Sequence, residues 1–215
     1  MDEMIKLAQI GFGLQSGVLG ATDNRMGVWT QGCSLPKCRG CTSIHTWNPA
    51  LGHAWPITAL LAAAKAQLCP PQGLTISGGE PSDQPLAVAS LIRAFRALFP
   101  GAEVVLYSGL RWPVLAQRFP DLVALLDVAI TGPYVRTLEA TALTGSSNQE
   151  VVLLTPLAEC LYRDWRTWPL HRLQVSAAAD GEIVTVGIPD TRRMIQAVRS
   201  ANISATTWDP SWEVP

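Results

Sequence analysis

The chain has 215 residues, 48% of them hydrophobic, enough to bury one substantial core and too apolar for a disordered chain. Lys and Arg number 16 against 17 Asp and Glu, a net charge of −1 with no basic run, which argues against a groove that tracks nucleic-acid phosphates. The start, MDEMIKL, is acidic where a signal peptide is basic, and the most apolar stretch, ITALLAAAKAQL, is too short and interrupted to span a bilayer; a cytoplasmic protein without a membrane partner is expected.

In chain order, KLAQIGF and GVWTQG read as strands ahead of a cysteine cluster. LTIS (74 to 77), VVLYSG (104 to 109), DVAITG (127 to 132) and EVVLLT (150 to 155) then recur as near-continuous apolar runs, the pattern of strands buried on both faces of a parallel sheet. Helices are expected between them. One runs from Pro56 to Leu68, with Pro56 in its first turn. PLAVASLIRAFRALF spaces Val88, Leu91, Ile92, Phe95 and Leu98 as a single apolar stripe, and WPVLAQRF with DLVALL is broken at Pro120. Such alternation implies an α/β fold with mostly parallel strands, as an open sheet or a partial barrel, and places function at the carboxyl ends of the strands.

The pattern changes after residue 156. RLQVSAAADGEIVTVGIP reads as a hairpin turning at Asp180 and Gly181, TRRMIQAVRSANI as an amphipathic helix, and TTWDPSWEVP as a surface strap with Trp208 and Trp212. Residues 1–156 are expected to form the core domain and 157–215 a C-terminal extension packed on it.

Three of the five cysteines, Cys33, Cys38 and Cys41, fall within GCSLPKCRGC, directly after the strand GVWTQG. In a reducing compartment an odd, clustered set points to metal or redox chemistry rather than disulfides, and thiolates select zinc or iron-sulfur. With His45 the spacing C-x4-C-x2-C-x3-H could close a tetrahedral zinc site in a non-catalytic module. Without it, three thiolates could hold a 4Fe-4S cluster with one iron left open for a ligand. Cys69 and Cys160 stand apart.

About forty residues on, LTISGGEP ends a buried strand in two glycines, a carboxylate and a proline, where the backbone can approach a ligand and Glu80 can accept hydrogen bonds from an ammonium group. The cysteine triplet followed by Gly-Gly-Glu-Pro resembles the radical S-adenosylmethionine (SAM) superfamily. WTQGCSLPKCRGCTSIHTWNP, with Gly40 before the third cysteine and Thr46 and Trp47 after it, is similar to the cluster loop of the activating proteins for anaerobic ribonucleotide reductase. VVLYSGL, LLDVAITGPYV and LTGSSNQEVV continue the likeness in order to about residue 155.

The resemblance implies a partial (β/α) barrel of the radical SAM type, with the hairpin and helix added. It implies a 4Fe-4S cluster on Cys33, Cys38 and Cys41, and SAM on the open iron with its amine held by Gly78, Gly79 and Glu80. Tyr107, Ser108 and Gly109 would line the ribose or adenine, Asn148 and Gln149 would orient the nucleoside or partner backbone, and Trp29 and Trp47 would exclude solvent. No catalytic residue is implied beyond the cofactor ligands, and neither a Ser-His-Asp set from His45, His53 and His171 nor a phosphate loop is present.

The implied activity is reductive SAM cleavage and hydrogen abstraction from a partner. That partner would be a glycyl radical enzyme or, in a stand-alone enzyme, a peptide, protein or small molecule, with flavodoxin or ferredoxin as electron donor. The final 60 residues have no counterpart in the shortest activating proteins, and the matched part of the chain departs from the pattern in three places. Four residues rather than three separate Cys33 from Cys38, so the loop must bulge; Thr131 stands where aspartate is common, and Ser43 where asparagine is.

Overall fold

The computed structural model describes residues 2–169, 173–177 and 183–187. Seven strands form one sheet: β1 (Met4–Leu14), β2 (Arg25–Thr30), β3 (His53–Pro56), β4 (Gly73–Gly78), β5 (Glu103–Ser108), β6 (Val128–Thr131) and β7 (Glu150–Leu153). Their order across it is β3-β1-β2-β4-β5-β6-β7. The four central strands, β2, β4, β5 and β6, run parallel, whereas β1 with β2, β1 with β3 and β6 with β7 are antiparallel. With five helices around the sheet, the fold is α/β.

Cover on both faces explains the unbroken apolar runs. Val28, Leu74, Ile76, Val104, Leu106 and Ala129 face the helices α1 (Ile57–Lys65), α2 (Pro85–Leu98), α3 (Trp112–Arg118) and α4 (Pro120–Val123). The alternate side chains Val105, Val128 and Ile130 point the other way, against Leu143 and against Ala158, Tyr162 and Trp165, which lie in and after α5 (Pro156–Leu161). The α2 stripe is buried as expected at Val88, Leu91, Ile92 and Phe95, while Leu98 is exposed at the helix end. Pro120 does break the next helix: Phe119 closes α3 by donating to Leu115 O, and Pro120, lacking an N–H, opens α4.

Four features depart from the sequence reading. EVVLLT is an antiparallel edge strand, because no helix lies between β6 and β7 to carry the chain back to the start of a parallel one. KLAQIGF is the middle of a longer strand, β1, which starts at Met4 and runs on to Leu14 through two register shifts against antiparallel β2. The strand HAWP is an addition at the other edge, and Pro56 caps α1 instead of sitting in its first turn. Helix α5, capped by Thr155 Oγ1 accepting from Ala158 N at 3.2 Å, is a further one.

Beyond it, β8 (Leu173–Ala177) and β9 (Ile183–Gly187) pair antiparallel, as a hairpin requires. The expected turn at Asp180 and Gly181, the helix TRRMIQAVRSANI and the strap lie outside the described residues. Gln174 fastens β8 to the end of β1, accepting from Gln15 N at 2.8 Å and donating to Gly13 O at 3.0 Å. Val186 is buried with Leu14, Val18, Leu19 and Trp29. Among the described residues no helix is long and apolar enough to cross a membrane.

At the amino ends of the parallel strands lies a buried ionic cluster. Arg25 and Glu103 are fully inaccessible, with Arg25 Nη2 2.5 Å from Glu103 Oε1. Oε1 also accepts from Ala21 N (3.0 Å), Thr22 N (2.8 Å) and Thr22 Oγ1 (2.9 Å), and Oε2 from the Tyr162 hydroxyl at 2.6 Å. The Nη2 contact is an ion pair without hydrogen-bond alignment, and Arg25 Nε has no partner.

Candidate functional site

Because β2, β4, β5 and β6 are parallel, their carboxyl ends share one edge, with Thr30 opposite Gly78 and Ser108 opposite Thr131. The cysteine loop leaves β2 there, the Gly-Gly-Glu turn leaves β4, and Gly109 follows β5.

Backbone contact joins the first two loops. Gly79 N donates to Thr30 O and Glu80 N to Gly32 O, both at 2.8 Å, while Gly32 N donates to Thr46 O at 2.7 Å and Cys33 N to Trp47 O at 3.2 Å. The glycines make this approach possible. Gly78 has φ +109°, in the region that favours glycine, and a Cβ on Gly79 would stand 1.9 Å from Gly32 O.

Glu80 is buried and already committed. Its Oε1 accepts from Ser82 N at 3.0 Å and Ser108 Oγ at 2.8 Å, and its Oε2 from Gly109 N at 2.8 Å. Burial raises its pKa, against the opposing pull of these bonds from Ser82, Gly109 and Ser108. The Ser82 side chain also bears on the carboxylate, so its acceptor positions, about four on a carboxylate, are largely taken. Ser108 and Gly109, expected along the ribose or adenine, are thus engaged as hydrogen-bond partners of Glu80. Tyr107 points into the sheet's second face, where its hydroxyl donates to Leu143 O at 3.0 Å and burial raises its pKa.

Asn148 and Gln149 stand on the loop before β7. Asn148 Nδ2 donates to Pro133 O at 2.8 Å; Gln149 Nε2 donates to Gly132 O at 3.0 Å while its Oε1 accepts from Gly145 N at 2.9 Å. Both therefore hold the turn after β6 in place. Trp29 is buried against the hairpin, and Trp47 beside Cys41.

The cysteines suit a soft metal centre in chemistry: all three are free thiols, neither fully buried nor fully exposed. Cys41 N donates to Cys38 O at 3.2 Å. Burial chiefly raises the Cys41 thiol, the neighbouring Cys38 adds to it, and hydrogen bonds from Ser43 N and the Trp47 indole work against it. Cys33 is likewise raised chiefly by burial, with Glu80 and Asp83 adding to it and Lys37 opposing. Among the described residues no three of His, Cys, Asp and Glu converge on one point. The structure therefore gathers neither the three-cysteine set nor the alternative set with His45. A raised pKa means less thiolate at a given pH. In the metal-free protein Cys33 and Cys41 are expected to be alkylated several-fold more slowly at neutral pH than the exposed Cys69 and Cys160, as read by peptide mass mapping.

Two residues outside the sequence reading complete the site. Asp83 Oδ2 accepts from Ser34 N at 2.7 Å and Oδ1 from Ser34 Oγ at 2.6 Å. Gln84 accepts from Lys6 N at 2.8 Å and donates to Lys6 O at 2.9 Å and Gln31 O at 3.1 Å. The polar run Ser82-Asp83-Gln84 after the motif was the only local sign of them.

The site is a strand-end cysteine loop interlocked with a Gly-Gly-Glu turn on an α/β sheet, and comparison with known proteins gives the class. The model for 4Fe-4S single cluster domains matches residues 19–152, more than half of the chain, and the chain belongs to that family. It is similar to the anaerobic ribonucleoside-triphosphate reductase-activating protein of Salmonella typhi, 27% identical over 143 residues, 62% of this chain and 91% of that one. To the protein of the same name from Escherichia coli strain K12 it is 26% identical over the same shares.

Proposed function

We propose that this chain is a radical SAM enzyme that activates a glycyl radical enzyme such as an anaerobic ribonucleotide reductase. The observation that carries the reading is the interlock at the carboxyl ends of β2, β4 and β5, where the turn Gly78–Glu80 is bonded directly to the cysteine loop and to β5. This contact supports the reading, since SAM bound to a cluster would need an iron-binding loop and an ammonium-accepting turn against each other. Family membership and the names of the two relatives support it from outside the geometry.

In this reading Cys33, Cys38 and Cys41 would hold a 4Fe-4S cluster, loading of which requires the loop to bring the three thiols together. The bound cluster and SAM supply a reductive cleavage that yields methionine and a 5'-deoxyadenosyl radical able to take hydrogen from a partner. The Glu80 carboxylate, by giving up one of its present bonds, and the backbone of Gly78 and Gly79 receive the methionyl amine. Ser108 and Gly109 border the nucleoside from the end of β5, with Leu35 packed over Gly109, and Asn148 keeps its carbonyl oxygen for the nucleoside or the partner. Trp29 and Trp47 limit water. The seven-stranded sheet is then the partial barrel of that superfamily, residues 1–156 its core and 157–215 an extension. An electron donor such as flavodoxin or ferredoxin completes the cycle in the cytoplasm.

A second reading keeps this chemistry and changes the substrate to a peptide, protein or small molecule. The docked hairpin favours it, since β8 and β9 lie beyond the matched residues and sit where they could seat a different partner.

Anaerobic reconstitution with iron and sulfide, reduction by dithionite in the presence of SAM, and chromatography for 5'-deoxyadenosine test the proposal. Wild type is expected to form the nucleoside and Cys38→Ala to lose at least about a thousandfold in rate, because cofactor ligands have no substitute among the neighbours. Wild type holding one zinc and no iron would sink it.

A further inference from the structure

We propose that Asp83 is a positioning residue for the metal loop, fixing the Ser34 end so that Cys33 can be brought to Cys38 and Cys41. The inference rests on the three-cysteine reading above. Both carboxylate oxygens of Asp83 are spent on one residue, Ser34, through its N–H at 2.7 Å and its hydroxyl at 2.6 Å, and Ser34 is next to Cys33 in the chain. Such paired, charge-assisted bonds set orientation as well as distance.

The base on which Asp83 stands is itself fixed. It ends the short helical turn Pro81–Asp83, with its N–H bonded to Glu80 O at 3.0 Å. Glu80 is held by Ser108 and Gly109 on one side, and Gln84 by the backbones of Lys6 and Gln31 on the other. The turn is thus tied to β1, β5 and the end of β2.

The segment it holds needs such an anchor. Four residues separate Cys33 from Cys38, and Ser34, Pro36 and Lys37 are exposed, so little burial restrains them. Besides Asp83, the contacts at hand are Leu35, whose Cδ1 lies 2.7 Å from where a Cβ on Gly109 would be, and Lys37, which bonds to Cys33 O and lies 5.2 Å from the Trp47 ring centre. The bonds of Glu80 N to Gly32 O and of Cys33 N to Trp47 O hold the backbone up to Cys33, and Asp83 carries the hold one residue further, to Ser34. It acts through Ser34 and touches neither substrate nor cofactor.

The test reads the lifetime of the reconstituted cluster against an iron chelator under anaerobic conditions, by loss of its visible absorbance. Asp83→Ala is expected to shorten the lifetime about tenfold or more, a charge-assisted hydrogen bond being worth about a factor of ten. Its metal-free thermal midpoint should fall by only about 4 °C or less, since the two bonds are also made without metal but lie at the exposed surface. Ser34→Ala should lose less, because Asp83 still receives Ser34 N, and the double variant should match Asp83→Ala alone, since both changes remove one interaction. A wild-type lifetime in Asp83→Ala, or losses that add in the double variant, would overturn the inference. Should Asp83→Ala take up no iron, Asp83→Asn, which keeps one acceptor, is expected to load with a shortened lifetime; a wild-type lifetime there would overturn it too. Wild type that takes up no iron overturns the cluster reading and this inference together, whereas a normal wild-type cluster with an indifferent Asp83 overturns this inference alone.

Discussion

Glu103→Ala should cost about 3–5 kcal/mol of stability, the range for removing one partner of a buried ion pair. Arg25 and Glu103 are both fully buried, and the substitution leaves a guanidinium sealed in the core without an anion. It also takes a partner from Ala21 N, Thr22 N, Thr22 Oγ1 and the Tyr162 hydroxyl, of which the last is fully buried, while Ala21 N keeps its bond to the Tyr162 oxygen. The loop before β2 and the end of α5 lose the same anchor. For a chain of this size the expected fall in thermal midpoint is about 6–20 °C. The outer pair provides a calibration. Arg96 Nη2 lies 2.7 Å from Asp127, but Arg96 is about a third exposed at 32%, and Asp127 keeps bonds from Val104 N and Thr155 Oγ1. Arg96→Ala should therefore cost about 1 kcal/mol or less. Equal losses in the two variants would refute the account of the buried pair.

Gly79→Ala is expected to spare most of the fold and disable the site. The new Cβ would lie 1.9 Å from Gly32 O and 2.6 Å from Gly32 C, and since these are backbone atoms, the two loops must part. Overpacking of this kind costs about 1–3 kcal/mol. Its larger effect is positional: a displacement near 1 Å can lower a reaction about a hundredfold, and 5'-deoxyadenosine formation should fall by about that factor. Gly101→Ala is the comparison. Gly101 has φ +85° with nothing within 4 Å of its added Cβ, so that variant meets backbone strain alone and should keep full activity with a small loss of stability. Normal nucleoside formation by Gly79→Ala would count against close contact of the loops.

The sheet core was legible because cover on both faces forces an unbroken apolar run, and the α2 stripe because its buried positions recur at helical spacing. Strand direction was not. VVLL in β7 reads the same whether parallel or antiparallel, since direction is set by the connection, and the 132–149 loop carries no periodic signal. HAWP was missed because four exposed or half-exposed residues ending in proline show no alternation. At the site, the cysteines and Gly-Gly-Glu could be read because their spacing is local. The bonds from Asp83 to Ser34 and from Gln84 to Lys6 join residues 49 and 78 positions apart, which no local pattern encodes. The engagement of Glu80 by Ser108 and Gly109 was hidden for the same reason.

The buried pair also bears on how β4 finds its alignment. Since Met26 lies opposite Leu74, and Gly73 opposite Glu103, Arg25, Gly73 and Glu103 form a row across three neighbouring strands. Arg25 reaches Glu103 by passing over Gly73, where a Cβ would come within 1.9 Å of Arg25 Nη1. A slip of β4 by one residue would turn its apolar side chains to the wrong faces. A slip by two would put Pro71 or Thr75 under the guanidinium and block its path. The missing side chain at Gly73 thus works as a keyhole: the charges can meet across β4 only when that strand has seated in its proper frame.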